Sequence, residues 1–304
     1  MAVTPVAQPP LAQPPLVFVG LGSMGLPMAS NLVAKGFEVR GYDVRAESRA
    51  AFAKAGGVPA DDLRQAASGA GALVLMVVNA AQAETVLFAE GALDALAPGA
   101  AVILMATCPP EAVARIAERV EAAGRVFVDA PVSGGVVGAE GGTLTVMAAA
   151  PAETFARVRP LLDAVGERIF HVGTKPGQGA TVKAVNQLLC GVHIAAAAEA
   201  LSLAEKVGVD LAVVLEILSG SSAASWMLRD RGPRMLEEMP RVTSAVDIFV
   251  KDLGIVLEAG RDQKAALPLA SLAHQLFLAA SGRGEGAADD SQVIRSYRVL
   301  NGHG

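Results

Sequence analysis

A glycine element, Gly20-Leu21-Gly22-Ser23-Met24-Gly25, directly follows the apolar run Leu16–Val19 and opens an amphipathic stretch. No other feature of the chain restricts its fold as strongly. The first glycine permits a tight turn out of a strand, and the second lets backbone approach a pyrophosphate. The third allows close helix–strand packing, with the helix N-terminus facing the anion. Pro27 falls in the first helical turn, where a missing N–H does little harm, and Gly36 stands where that helix should end. A glycine motif alone is weak evidence, since a tight turn needs glycines without any ligand. Here, however, a second strand follows and ends in Asp43, roughly 20 residues on, where a ribose-binding carboxylate is expected. The combination predicts dinucleotide binding by Gly20, Leu21, Gly22, Ser23, Met24, Gly25 and Asp43. A carboxylate accepts from a ribose 2′-OH and repels a 2′-phosphate, which favours NAD over NADP. Arg45 complicates that preference, because a guanidinium pairs well with phosphate.

Beyond the loop, short apolar runs alternate with helical segments. Leu16–Val19, Phe37–Tyr42, Ala72–Val78, Ala101–Met105 and Arg125–Asp129 read as strands, with helices over Pro27–Lys35, Ala46–Lys54 and Pro110–Ala123 between them. Such alternation implies βαβ units and a doubly wound, mostly parallel sheet with helices on both faces. The pattern changes near residue 177. Gly179–Val207 runs without proline, and Leu211–Leu218, Val246–Ala259, Pro268–Ala280 and Ser291–Leu300 also read as helices. The expected organisation is a disordered tail over 1–15, a Rossmann domain over 16–176 and an all-α domain over 177–304, joined by the long helix. A helix that apolar must pack against both domains or a second subunit, and a homodimer or homotetramer is expected.

Composition narrows the function. A net charge of -5 argues against nucleic-acid binding. No run of ~20 residues is free of polar interruption, so no membrane span is expected. The first fifteen residues hold five prolines and lack the parts of a signal peptide. Two cysteines, Cys108 and Cys190, without metal-ligand spacing suit a reducing, cytoplasmic compartment. Four histidines form no HxxxH or HxH pair, so no metal site is expected.

Several segments together resemble the β-hydroxyacid dehydrogenase family, which includes 3-hydroxyisobutyrate dehydrogenase and tartronate semialdehyde reductase. They are Gly20–Gly25, Asp129-Ala130-Pro131-Val132-Ser133-Gly134-Gly135, Gly177-x-Gly179-x-x-x-Lys183-x-x-Asn186-Gln187, and Lys251-Asp252-Leu253. Their order covers nearly the whole chain beyond the tail. A narrower resemblance, to the branch that oxidises L-threonate, rests on Val77-Val78-Asn79-Ala80-Ala81-Gln82, Ser225-Trp226-Met227, Ser244–Leu253, Leu267–Ser271 and Asp289-Asp290-Ser291. Val78-Asn79 replaces the Leu-Pro pair of most members. Ala106-Thr107 replaces their Ser-Thr, so Thr107 keeps a cofactor contact while a hydroxyl at 106 is missing.

The resemblance implies a NAD-dependent enzyme that oxidises a small hydroxy-carboxylic acid, with Lys183 as the catalytic residue. Chemically this is sensible: a base must be neutral part of the time, and burial or a nearby cation would depress a lysine toward pKa ~7–8. Without the motif, a lysine snorkelling from an apolar helix would be the better reading. Ser133, Gly134 and Gly135 can form a carboxylate cradle, or simply a sharp turn. Gln187, one turn from Lys183, shares its face and should set substrate reach. Asn186 points about 100° away and is either a substrate contact or a packing residue. Lys251 is implied to approach the nicotinamide, and Val78, Asn79 and Thr107 to contact the cofactor, while Asp252 either pairs locally and fixes that segment or forms a helix-surface ion pair. Trp226 is as well suited to anchoring a core as to touching substrate. Semialdehyde reduction or 3-hydroxyisobutyrate oxidation is the alternative within the class. A nucleotide-sensing protein with a dead site is the alternative outside it, disfavoured by the intact lysine.

Overall fold

The computed structural model describes residues 14–302; the expected tail therefore lies, through residue 13, outside the described residues, as does His303. The chain forms two compact units. One is the chain through Ala106 with Glu111–Gly179, and the other is Thr107–Pro110 with the chain from Ala180 onward.

The first unit carries β1 (Leu16–Val19), β2 (Val39–Tyr42), β3 (Val58–Pro59), β4 (Ala72–Leu75), β5 (Ala101–Leu104), β6 (Val126–Asp129), β7 (Val132–Ser133), β8 (Leu144–Ala149) and β9 (Gly166–Gly173). They form one sheet in the order β3-β2-β1-β4-β5-β6-β8-β7, with β9 on β8. Pairing is parallel from β3 to β6. β8 then runs antiparallel to β6 and β7 and parallel to β9. This is the expected Rossmann sheet with an unexpected mixed edge. β1, β4 and β5 are buried at every residue, as central parallel strands must be, and hence they read as plain apolar runs. β9 has a single buried residue, and Glu167, Arg168 and His171 interrupt its apolar positions, so it showed no such run.

The helices of this region are α1 (Gly25–Ala34), α2 (Ala46–Lys54), α3 (Leu63–Ala67), α4 (Ala80–Glu84), α5 (Ala92–Ala95), α6 (Pro110–Ala122), α7 (Gly135–Gly141) and α8 (Ala152–Val165). Phe18, Met28, Leu32, Ile103, Val128 and Leu144 lie in the core. Gly36 has φ +89°, the left-handed turn that ends α1. Phe52 of α2 seats over Gly41 of β2, where a Cβ would lie 2.4 Å from the ring. That contact fixes the strand that ends beside Asp43.

The second unit is all-helical: α9 (Gln178–Lys206), which starts at the boundary, then α10 (Leu211–Gly220), α11 (Trp226–Met235), α12 (Val246–Asp262), α13 (Pro268–Ala280) and α14 (Ile294–Leu300). By length and composition alone α9 could cross a membrane, with a mean hydropathy of 1.4, which differs from the expectation drawn from its polar residues. Half of that apolar window is buried within the protein. Ile194, Ala198 and Leu201 join a core with Phe249, Leu253 and Phe277, while Val182, Val185 and Leu189 are exposed. At Gly191 a Cβ would lie 2.8 Å from Leu253 Cδ2, so glycine lets α12 cross α9 closely.

α11 was not expected, and the reason is physical. Three arginines and Asp230 break its apolar pattern and Pro233 lies inside it, and buried ion pairs join Leu228 and Met235 in holding it. Arg231 grips Asp290 bidentately, Nε to Oδ1 at 2.9 Å and Nη2 to Oδ2 at 2.8 Å, and also donates to Asp230. Arg234 donates to Asp289 at 2.8 Å and Asp230 at 2.7 Å. Asp289 Oδ2 also accepts from the Thr243 N–H at 2.9 Å, tying the approach to α12 to the C-terminal segment. Trp226 opens α11 and is 51 % exposed, so it is not a core anchor.

Candidate active site

The glycine loop leaves β1 at the carboxyl end of the sheet, beside the end of β4, where strand order reverses and nucleotides bind in such folds. Its three glycines have separate reasons. Gly20 has φ +94°, and a Cβ there would lie 2.4 Å from Met76 O. A Cβ on Gly25 would lie 1.7 Å from Gly20 O. At Gly22, by contrast, the nearest atom to a Cβ is the Arg45 guanidinium at 3.6 Å. Packing therefore explains Gly20 and Gly25 but not Gly22, whose open side suits a pyrophosphate approaching the backbone. Residues 20–25 thus fit a dinucleotide. Gly22→Ala is expected to leave the melting temperature within about 2 °C of wild type and to weaken NADH binding about tenfold or more. Gly25→Ala, meeting backbone, should lower stability by about 1–3 kcal/mol. Fluorescence titration and thermal melts check both, and equal NADH affinity in Gly22→Ala would remove the assignment.

Asp43 is nearly buried. Oδ2 accepts the Leu21 N–H at 2.8 Å, and Oδ1 accepts from the N–H and Nε of Arg45 at 2.9 and 3.1 Å. Burial raises its pKa, but the Arg45 side chain and the two backbone donors outweigh this and hold the carboxyl below its ordinary value. The acid is therefore charged, and it positions both the loop and Arg45. After β4, Asn79 caps α4 by accepting the Gln82 N–H at 2.9 Å, and Gln82 Oε1 accepts the Val78 N–H at 2.9 Å. The Val-Asn-x-x-Gln sequence is thus a self-capped turn, leaving Val78 half exposed.

Ser133 ends β7, and Gly134 and Gly135 follow with φ +131° and +62°, values that favour glycine. Sequence reasoning had not assigned Asp129, which is buried and accepts the Gly177 N–H at 2.9 Å through Oδ2. Gly179 follows because a Cβ there would lie 2.5 Å from Met147 O and 2.8 Å from Asp129 O. The Gly-x-Gly ahead of Lys183 is thus a packing feature that sets where α9 begins.

In the second unit, Lys183 is only 6 % exposed. Its Nζ donates to Gln187 Oε1 at 2.6 Å, which also accepts from Asn186 Nδ2 at 2.9 Å. Gln187 Nε2 donates to Asp252 Oδ2 at 2.6 Å, and Lys251 Nζ lies 2.7 Å from Asp252 Oδ1 and donates to Thr107 O at 3.1 Å. Lys183, Asn186, Gln187, Lys251 and Thr107 are therefore brought together in one unit. Asp252 is 2 % exposed, so the surface ion pair is corrected: the carboxylate turns inward to reach Gln187 across 65 residues of sequence. Burial lowers the pKa of Lys183, and Lys251 adds to this, against the opposing pull of Asp252 and Cys190. Cys190 accepts from Asn186 Nδ2 at 3.3 Å, and burial pushes its thiol up despite Lys183, so it is a poor nucleophile.

Comparison with known proteins follows the same division. The model of the NAD binding domain of 6-phosphogluconate dehydrogenase matches residues 15–173, and that of the NAD-binding region of NADP-dependent 3-hydroxyisobutyrate dehydrogenase matches 177–297. The chain belongs to the β-hydroxyacid dehydrogenase family. It is an oxidoreductase acting on CH–OH donors and carries NAD(P)-binding domains. Among relatives of this dehydrogenase, an L-threonate dehydrogenase of Cupriavidus necator is 43 % identical over 247 residues, 81 % of this chain and 83 % of the relative. An L-threonate dehydrogenase of Escherichia coli is 41 % identical over 74 % of this chain and 75 % of its own. A crystal structure of a 3-hydroxyisobutyrate dehydrogenase from Salmonella typhimurium superposes with a TM-score of 0.88 at 40 % identity, covering 92 % of this chain and 98 % of that one.

Proposed function

We propose that this dehydrogenase oxidises L-threonate at C2 with NAD, giving the 2-oxo acid, and that Lys183 is its general acid/base. The observation that carries the reading is the buried Lys183 amine, whose charge is disfavoured by burial and by Lys251. Such an amine is neutral for a larger share of the time than a surface lysine and can take a hydroxyl proton. When bound, the nicotinamide supplies the hydride acceptor. As the C2–H bond breaks, the C2 hydroxyl becomes a carbonyl and its proton passes to Lys183 Nζ. In reduction the ammonium returns it.

The remaining roles follow from what each group can offer. Gly20, Leu21, Gly22, Ser23, Met24 and Gly25 hold the pyrophosphate. Asp43 faces the adenosine ribose, where a charged carboxylate favours a 2′-OH and hence NAD. Val78, Asn79 and Thr107 serve as cofactor contacts, and Lys251 approaches the nicotinamide. Ser133, Gly134 and Gly135 offer a hydroxyl and backbone N–H groups to the substrate carboxylate, with Asn186 near its hydroxyls and Gln187 one turn from Lys183. The names of the Cupriavidus and Escherichia relatives support L-threonate. The Salmonella structure's name supports 3-hydroxyisobutyrate as the second reading. Initial rates over C3 to C5 hydroxy acids, with NAD and NADP in parallel, decide between them. We expect the highest kcat/KM with L-threonate and NAD. No turnover of any four-carbon sugar acid would remove the proposal, and equal rates with NADP would remove the role of Asp43 in cofactor choice.

A further inference from the structure

Gln187 has both ends of its amide engaged before any substrate arrives. Its oxygen accepts from Lys183 Nζ at 2.6 Å, and its nitrogen donates to Asp252 Oδ2 at 2.6 Å. All three residues are buried, at 7 %, 6 % and 2 % exposure for Gln187, Lys183 and Asp252. A carboxylate can only accept, so Asp252 fixes which way the amide faces: nitrogen toward itself, oxygen toward Lys183. The reverse orientation would set two acceptors against each other in a buried site, which is costly.

A consequence follows for the amine. Neutral lysine has two N–H bonds and one lone pair. Because Gln187 Oε1 can only accept, an N–H must point at it, and the lone pair must point elsewhere. We propose that Asp252 and Gln187 form a positioning relay in which Asp252, acting through the Gln187 amide, aims the Lys183 lone pair, and that Gln187 works through Lys183 rather than by gripping substrate. The proposal rests on the assignment of Lys183 as the base. Proximity of α12 to α9, allowed by Gly191, is what brings Asp252 within reach.

The charged and titratable groups around Lys183 are Cys190 on its own helix and Lys251 and Asp252 on α12; Arg231 of α11 in turn acts on Cys190. Asp252 favours the ammonium, so removing its charge disfavours protonation. The Lys183 pKa then falls further, and the acid limb of the oxidation rate, which rises as the amine loses its proton, moves to lower pH. Loss of the Gln187 acceptor acts in the same direction.

The test uses the full chain with Asp252→Asn, Gln187→Met and the double variant, reading kcat and KM against pH. Each single variant is expected to move the acid limb to lower pH and to lower the plateau kcat by about ten- to a hundredfold, with KM within about threefold. The double variant should lose no more than the worse single one, because both break the same chain. An unmoved limb, a loss carried mainly by KM, or multiplicative losses would overturn the relay. If Asp252→Asn does not fold, Gln187→Met carries the limb and KM test alone. Lys183→Ala is run beside them: survival of its turnover would sink the Lys183 assignment itself, whereas an inactive Lys183→Ala with an unmoved limb sinks only the relay.

Discussion

Lys183→Ala is expected to lower kcat for hydroxy-acid oxidation by about 10²–10⁴-fold, the usual contribution of a positioned acid/base, while NADH affinity stays within about twofold. The split follows from placement. The glycine loop and Asp43 lie in the first unit and keep their hydrogen bonds when the amine is removed. Stopped-flow turnover and NADH titration check the two halves separately, and retained turnover would refute the mechanism. The same lysine makes a second, independent statement through pH. Its folded pKa lies below the unfolded value near ~10.4. Between those two pH values the unfolded chain binds more protons, so native stability rises with pH across that window. Below it, the buried ammonium is a full penalty. Lys183→Met should therefore be at least as stable as wild type at neutral pH. Its advantage should shrink as pH rises toward ~10. A variant whose stability relative to wild type does not fall between pH 7 and pH 10 would mean the amine is not held as a disfavoured charge.

The second large effect lies outside the chemistry. Arg231→Leu is expected to cost about 3–5 kcal/mol, because it leaves a buried carboxylate without its bidentate partner. Asp290 is 0 % exposed, and its two oxygens meet Arg231 at 2.9 and 2.8 Å. Burial already raises the Asp290 pKa, against the pull of Arg231. Without the guanidinium the carboxyl should be pushed higher still. A raised folded pKa adds stability that is present at low pH and lost as pH rises. The deficit of Arg231→Leu should thus be smaller at pH 5 than at pH 8. Replacing both members, as Arg231→Leu with Asp290→Leu, should recover much of the loss, since apolar residues of similar size often substitute for a buried pair. Urea denaturation of the three proteins at both pH values measures this. A single-variant cost below about 1 kcal/mol, the range of exposed pairs, would show that the pair is solvated.

Legibility differed between elements for reasons that can be named. β1, β4 and β5 could be read because a strand buried on both faces needs apolar residues throughout, and α2 and α13 were bounded as expected. β8 and β9 were missed: parallel pairing between them depends on partners elsewhere in the sheet, and β9 lies largely exposed. α11 was missed because its order comes from Arg231 and Arg234 meeting Asp289 and Asp290, more than fifty residues away. Gln187 was recognised as facing with Lys183 because one helical turn separates them. That its amide is already held by Asp252 was not readable, since nothing local relates positions 65 apart.

By itself the order of amino acids determined a strand–glycine loop–helix start, an acid at the end of the second strand, a change to all-helical structure near residue 177, and a lysine one turn before a glutamine. Each of these is a short-range matter of backbone freedom and periodic polarity, and so each is written in consecutive residues. Only the tertiary structure decided that Gly22 is open where Gly25 is crowded, that Asp129 fastens the start of α9, and that Asp252 turns inward. Those outcomes depend on which distant groups share a low-dielectric interior, where an unpaired donor or charge is too costly to persist.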